Sequence, residues 1–246
     1  MTAQELIEII EAHYPLSLQE DWDHSGFQAG DRRKEIKKVM IALDSDHRTI
    51  KEAISQNCDM LITHHPYLFR DLSLDLETDM GQTVKDVILN DLVIYSSHTP
   101  LDKVSMNIWL AEALGLEDLY DFEDSHMAKA GHFDQPLAFD DFLKHIKNVF
   151  SLKTVHVAGH KETITTAAIC GGSGSDFLDQ AHTDAYLTGD LKYHIGEQAD
   201  IQNKVLVDIG HHAEVIMVSH LADELRKKVP EIEFVESSSP DYFTYY

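Results

Sequence analysis

Short, mostly apolar runs alternate along this chain with longer stretches in which apolar residues recur every three or four positions. The runs at 39–44, 60–63, 92–95, 154–157, 167–170, 185–187, 205–207 and 232–235 have the length of buried strands and are bounded by polar or turn residues. The helical pattern marks the N-terminal stretch, where Leu6, Ile9, Ile10 and His13 share a face, and 46–56, where Ile50, Ala53 and Ile54 do. It returns at 78–90 around Val84, Val87 and Ile88, at 106–114, at 137–150, at 175–181 and at 213–228. Thr2 and Glu5 are spaced as a capping box at the first helix, and Pro15 ends it. Ser17 and Glu20 repeat the box over a shorter stretch. Residues 21–30, with two glycines and clustered polar groups, read as a tight loop that is either a turn anchored by Trp22 or the lining of a site.

The order strand, helix, strand recurs, and it recurs twice. Residues 167–170, 175–181 and 185–187 stand as 39–43, 46–56 and 60–63 stood, and 205–207 answers 92–94. The expected class is α/β, with two similar, interlinked lobes built on mostly parallel sheets and a metal cleft between them. Residues 117–135 lack sustained periodicity and mark the boundary, so that 1–125 form the first lobe and 126–246 the second, with the C-terminal tail able to pack back on the first.

Composition narrows the function. At 246 residues, 43% hydrophobic and 26% charged, the chain has the make-up of a soluble globular protein with a sizeable core. A net charge of −23 argues against a DNA or RNA surface and against an anionic membrane. No apolar run has membrane-spanning length, the first helix is not a signal peptide, and Cys58 and Cys170 beside strand runs read as core thiols, so the expected location is cytoplasmic.

The candidate chemistry gathers after the strand runs. The run at 60–63 stops at His64 and His65 before Pro66. Adjacent residues on an extended backbone point to opposite sides, which suits two neighbouring ions held one each. The run at 92–95 leads to His98 and Asp102; Asp102 is a helix cap or a bridging carboxylate, and His98 a third imidazole or an orienting partner. His211 and Glu214 stand three apart at a helix start, a spacing that serves a metal as well as the helix dipole. Three imidazoles and two carboxylates suit zinc, manganese, iron or nickel better than calcium. Two such ions would activate a water for hydrolysis. His194 is a general acid or base near the ions, or a surface helix histidine. Gly171-Gly172-Ser173-Gly174 follows a strand but lacks the lysine and spacing of a phosphate loop, and a tight turn is the better reading. Arg70 and Lys192 are the basic residues near predicted strand ends, few for a triphosphate.

Taken together, Trp22-Asp23 with Gly26, Thr63-His64-His65-Pro66, His98-Thr99-Pro100-Leu101-Asp102, the Gly171–Gly174 run, Thr188-Gly189-Asp190 with Lys192 and His194, Gly210-His211-His212-Ala213-Glu214 and Ser239-Pro240-Asp241-Tyr242-Phe243 resemble the GTP cyclohydrolase 1 type 2 family, also called the Nif-three-like proteins. The resemblance runs nearly end to end, in the short form without an inserted domain, with His24 where the family often has asparagine. It implies a dinuclear metal centre between two lobes, with His64, His65, Asp102, His211 and Glu214 as ligands, and a ring-shaped homohexamer. It also implies opening of the guanine ring of GTP by metal-activated water, a small-molecule and possibly nucleotide substrate. Two other functions are compatible with the same residues: a two-metal phosphoesterase, and a non-enzymatic metal-binding or scaffold hexamer.

Overall fold

The computed structural model describes residues 1–67 and 75–244, so Arg70 lies outside the described residues. Helix α1 (Ala3–Glu11) starts on its capping box: Thr2 Oγ1 accepts from the Glu5 amide and the Glu5 carboxylate accepts from the Thr2 amide. It buries Ala3, Leu6, Ile7 and Ile10, a face turned slightly from the expected one, because Leu6, Ile7, Ile9 and Ile10 make an arc wide enough to dock in more than one rotation. The second box yields only a 3-10 turn at Leu16–Leu18, with no side-chain cap. Strand β1 (Gly26–Ala29) occupies part of the stretch read as a loop. Next to it, a side chain at Gly30 would lie 2.8 Å from the Leu92 carbonyl oxygen.

The strand–helix alternation then follows the hydrophobic pattern. Strand β2 (Lys38–Ala42) leads to helix α2 (His47–Ser55), capped by Asp46, whose carboxylate accepts from the Thr49 amide at 2.8 Å. Strand β3 (Met60–Thr63), helix α3 (Asp79–Leu89) and strand β4 (Val93–Ser96) come next. Ile88, expected on the inner face of α3, is exposed; Gly81, Thr83 and Val87 are buried instead. A single turn α4 (Thr99–Leu101) runs into a π-helical turn at Asp102–Met106.

Helix α5 (Asn107–Leu114) stops at Gly115, which takes the left-handed conformation. Strands β5 (Glu117–Tyr120) and β6 (Lys129–Ala138) fill the region that shows no periodicity. Then come helix α6 (Phe139–Val149), strands β7 (His156–Ala158), β8 (Thr163–Ile169) and β9 (Ala185–Thr188), helix α7 (Tyr193–Ile201) and strand β10 (Val205–Asp208). The helix expected at 175–181 is a 3-10 turn, Ser175–Phe177, with no side-chain cap. A second 3-10 turn, His211–Val215, opens the long final helix α8 (Ile216–Lys228), and strand β11 (Glu233–Glu236) follows it.

Two compact units result, residues 1–104 with 217–240 and residues 105–216 with 241–246. The division differs from a single cut at 125/126. Helix α5, assigned above to the first lobe, packs on β6 and β8, and α8 with β11 belongs to the first unit. The first unit holds one sheet in the order β1-β4-β3-β2-β11, parallel except for β1. The second holds the order β5-β6-β8-β9-β10-β7, in which β8, β9 and β10 are parallel and the flanking strands antiparallel. The repeat read in the sequence is a repeat of topology: β1-β4-β3-β2 and β7-β10-β9-β8 are the same arrangement in the same chain order. Each sheet carries a core, Met40, Leu61 and Ile94 against Ile50 and Ala53 in the first, Ala168, Tyr186 and Leu206 against Leu178 and Ala199 in the second. Cys58 and Cys170 are buried in these cores, and burial pushes the Cys58 thiol up to about 11. No helix among the described residues is long and apolar enough to cross a membrane.

Helix α8 is tied to the first unit by Glu224, which accepts from the buried Tyr14 hydroxyl at 2.6 Å and from Lys228 at 2.6 Å, with His13 at 3.3 Å. Burial opposes its charge, but Lys228, Tyr14 and His13 outweigh burial and hold its carboxyl below the ordinary carboxylate range. A lowered carboxyl stabilises above the unfolded value and loses that contribution as pH falls through the folded one. A Glu224→Gln chain is expected to be about 1–2 kcal/mol less stable than the native chain at pH 7. In urea unfolding the gap should narrow as the pH drops below about 4.

Candidate metal centre

The site residues of the first unit stand at the carboxyl ends of its parallel strands, where open α/β sheets present ligands. His64 and His65 follow β3 directly. The backbone has left the extended form there, so the two rings do not diverge as strand alternation would have them; their centroids are 4.8 Å apart. His98, two residues past β4, brings a third ring, 4.9 Å from His64 and 5.6 Å from His65. One ring nitrogen from each of the three lies within 4.8 Å of the others, a group that could hold a metal ion. Asp102, buried at the start of the π-helical turn, sets Oδ1 3.5 Å from His64 Nε2. An inserted residue in a helical turn re-aims the side chains around it, which is how such turns serve sites.

The second unit has its own group. His211, past β10, places Nε2 3.2 Å from the buried Glu214 carboxylate. The glycine run makes room for it. Gly172 has φ near +60°, and a side chain there would come 2.7 Å from Glu214 Oε1 and 3.5 Å from His211 Cε1. The run is a tight turn, as expected, and its tightness is what lets the carboxylate approach the backbone.

Four imidazoles share one further feature. His64 Nδ1 lies 3.1 Å from the Ser97 carbonyl oxygen, His65 Nδ1 2.7 Å from Asp44, His98 Nδ1 2.9 Å from Asp23 and His211 Nδ1 2.7 Å from Asp190. Carbonyl and carboxylate oxygens only accept, so each Nδ1 carries the proton. In the neutral form, in which histidine binds a metal, each ring offers its lone pair at Nε2, with the oxygen behind it fixing the ring. In His64 and His211 that nitrogen lies 3.5 and 3.2 Å from a carboxylate oxygen, so a neutral ring would set acceptor against acceptor. A cation between them relieves the repulsion, and the spacings of 3.5 and 3.2 Å are close to the about 3.4 Å between two donors on one tetrahedral ion with bonds near 2.1 Å. The donor set therefore fits a divalent ion of the zinc, iron, manganese or nickel kind.

Asp23 is the most elaborately held of the orienting groups. Buried beside His98, its carboxylate accepts from the Thr99 amide at 3.1 Å, the Thr99 hydroxyl at 2.6 Å, the Ser25 hydroxyl at 2.7 Å and the His24 amide at 2.6 Å. Burial opposes its charge, yet His98, Thr99 and Ser25 hold the carboxyl far below its ordinary range. Asp23, Asp44 and Asp190 were not among the site candidates. Asp23 and Asp190 stand in motifs that carry the resemblance, without an assigned role, and Asp44 is marked only as an acidic residue that ends a strand run. His194 takes no part in either group. It stands in the first turn of α7 with its side chain 85% exposed and Nδ1 3.2 Å from Glu197, and Lys192 beside it is exposed.

The chain as a whole is similar to several known proteins. A family model described as DUF34/NIF3 (NGG1p interacting factor 3) matches residues 1–241. A Streptococcus pneumoniae protein called GTP cyclohydrolase 1 type 2 homolog is 32% identical over 90% of this chain and 89% of its own length. The crystal structure of a Bacillus cereus protein related to NIF3 shares the fold, with a TM-score of 0.93 at 21% identity over 100% of this chain and 99% of that one. Reduced HcgD from Methanocaldococcus jannaschii matches with a TM-score of 0.85 at 31% identity, over 97% of this chain and 98% of its own.

Proposed function

Because the chain belongs to the DUF34/NIF3 family, we propose that it is a metal-dependent hydrolase whose centre of two divalent ions is held by His64, His65, Asp102, His211 and Glu214. The observation that supports this most is the pairing of four imidazoles through Nδ1 with carbonyl or carboxylate oxygens, an arrangement that puts the metal-binding lone pair of a neutral ring at Nε2. Ions bound there would supply Lewis-acid polarisation and a water of lowered pKa. The chain's own residues do the rest. Asp44 and Asp190 hold His65 and His211 in one tautomer, Asp102 offers two oxygens for sharing, and Asp23 holds His98 beside the pair as a third imidazole or a proton carrier. His194, exposed on α7, is proposed as an acid or base for a substrate that reaches that face.

The reaction that best fits the relatives' name is hydrolytic opening of a guanine ring, as in GTP. Elemental analysis of the isolated protein, with assays for formate release from GTP and for phosphate release from simple phosphoesters, tests this. Formate release supports the ring-opening reading and phosphate release replaces it with a phosphoesterase. Inactivity in both with metal retained favours a non-enzymatic metal-binding scaffold. A cytoplasmic location belongs to the same proposal, as does a homohexamer, whose mass sedimentation reads.

A further inference from the structure

Trp22 is 55% exposed, an uncommon state for an indole. Yet it is not loosely held. The next residue, Asp23, donates its amide to the Glu20 carbonyl at 3.0 Å and anchors its carboxylate on Ser25, Thr99 and His98. The backbone on that side of the indole is thereby pinned to the same residues that orient His98. The indole meets the His98 ring at 5.6 Å and 76°, edge to face. Two rings at that angle form a corner, not a stack. A flat ring laid parallel to the indole would stand at the same steep angle to the His98 ring. A rigid exposed aromatic wall of this kind binds a flat ligand with little ordering cost, and each such side chain can cover about 150–250 Å².

The charge around the wall selects further. Its segment reads Glu20-Asp21-Trp22-Asp23-His24; the Asp23 carboxylate is buried and Glu20 is paired, which leaves the exposed Asp21 carboxylate next to the indole. Lys103 is paired with Glu20. A polyanion would meet repulsion here that an uncharged ring would not.

We propose that the Trp22 indole is the wall on which an uncharged, flat heteroaromatic ring of the substrate stacks, beside the His64, His65 and His98 group, an inference that rests on the metal-site reading above. The probes are guanosine and GTP, titrated into metal-loaded protein carrying Trp109→Phe, so that Trp22 is the sole indole emitter. Guanosine is expected to change Trp22 emission and to bind at least as tightly as GTP. In calorimetry with Trp109 intact, Trp22→Leu should weaken guanosine roughly tenfold or more, and Trp22→Phe should retain most of the affinity, both with unchanged metal content. Guanosine affinity unaltered by Trp22→Leu, or absent in the native chain, overturns the inference. So does GTP binding far more tightly than guanosine, or a Trp22→Leu variant that breaks an assembly in sedimentation, which would make the indole a contact between copies. Failure of the native protein to take up metal sinks the metal-site reading instead, and that result is visible before any nucleoside is added.

Discussion

A His65→Ala protein, purified beside the native chain, carries markedly less divalent metal, its affinity lowered by more than about 100-fold. The orienting partners of metal-bound histidines are themselves worth about 10–100-fold, and a ligand is worth more. His65 is the better residue to remove because it is half-buried, whereas His64 is fully buried and its loss would add a cavity. The companion change Asp44→Asn keeps the ring but lets its proton move to Nε2, and an intermediate loss of about 10–100-fold is expected. Elemental analysis after dialysis, with unfolding curves to show that both variants are folded, reads the result. A full metal complement in His65→Ala would refute the ligand assignment.

Asp23→Asn costs the protein about 3 kcal/mol of stability, more than any other single polar change proposed here. Every group that faces this carboxylate is a donor: two amides, two hydroxyls and an imidazole N–H. Asparagine keeps one acceptor and turns its NH2 toward donors, so at least two buried hydrogens lose their acceptor. The pH dependence follows from the depressed carboxyl. Its stabilisation is complete above the unfolded value near 4 and disappears as pH falls through the lower folded value. Denaturant unfolding should therefore show the full gap between native and variant at pH 7 and a smaller one in strong acid. A difference under about 1 kcal/mol at pH 7 would mean that the donors find other partners. His98 loses its orientation in the same variant, so metal affinity falls with stability.

Where apolar runs were unbroken, the strands were readable to within a residue or two: β3 and β9 are nearly as expected, and so is the capping box at Thr2. Period alone failed where tertiary contact decides. Strand β1 hides between two glycines, and β5 and β6 are rich in polar residues because antiparallel edge and near-edge strands need bury only part of each face. The two compact units divide the chain differently from a single cut at 125/126 for a related reason. The apolar stripe of α5 says that it is buried, not what buries it. The histidines were legible because they end strand runs. The aspartates behind them were not, since a carboxylate that orients a ring looks, in sequence, like any loop residue. Strand alternation misjudged His64 and His65 because the rule ends where the strand does.

The first unit is built from two pieces of chain separated by more than a hundred residues, and this has a bearing on synthesis. Residues 105–216 leave the ribosome in one continuous stretch. The outer edge of β2 must wait for β11, whose backbone groups complete it from Glu233 to Glu236. Until then a strand of Lys38-Val39-Met40-Ile41-Ala42 lacks its neighbour, an open edge of the sort that recruits other chains. Nascent protein halted before residue 233 should accordingly depend on chaperones far more than the finished molecule does.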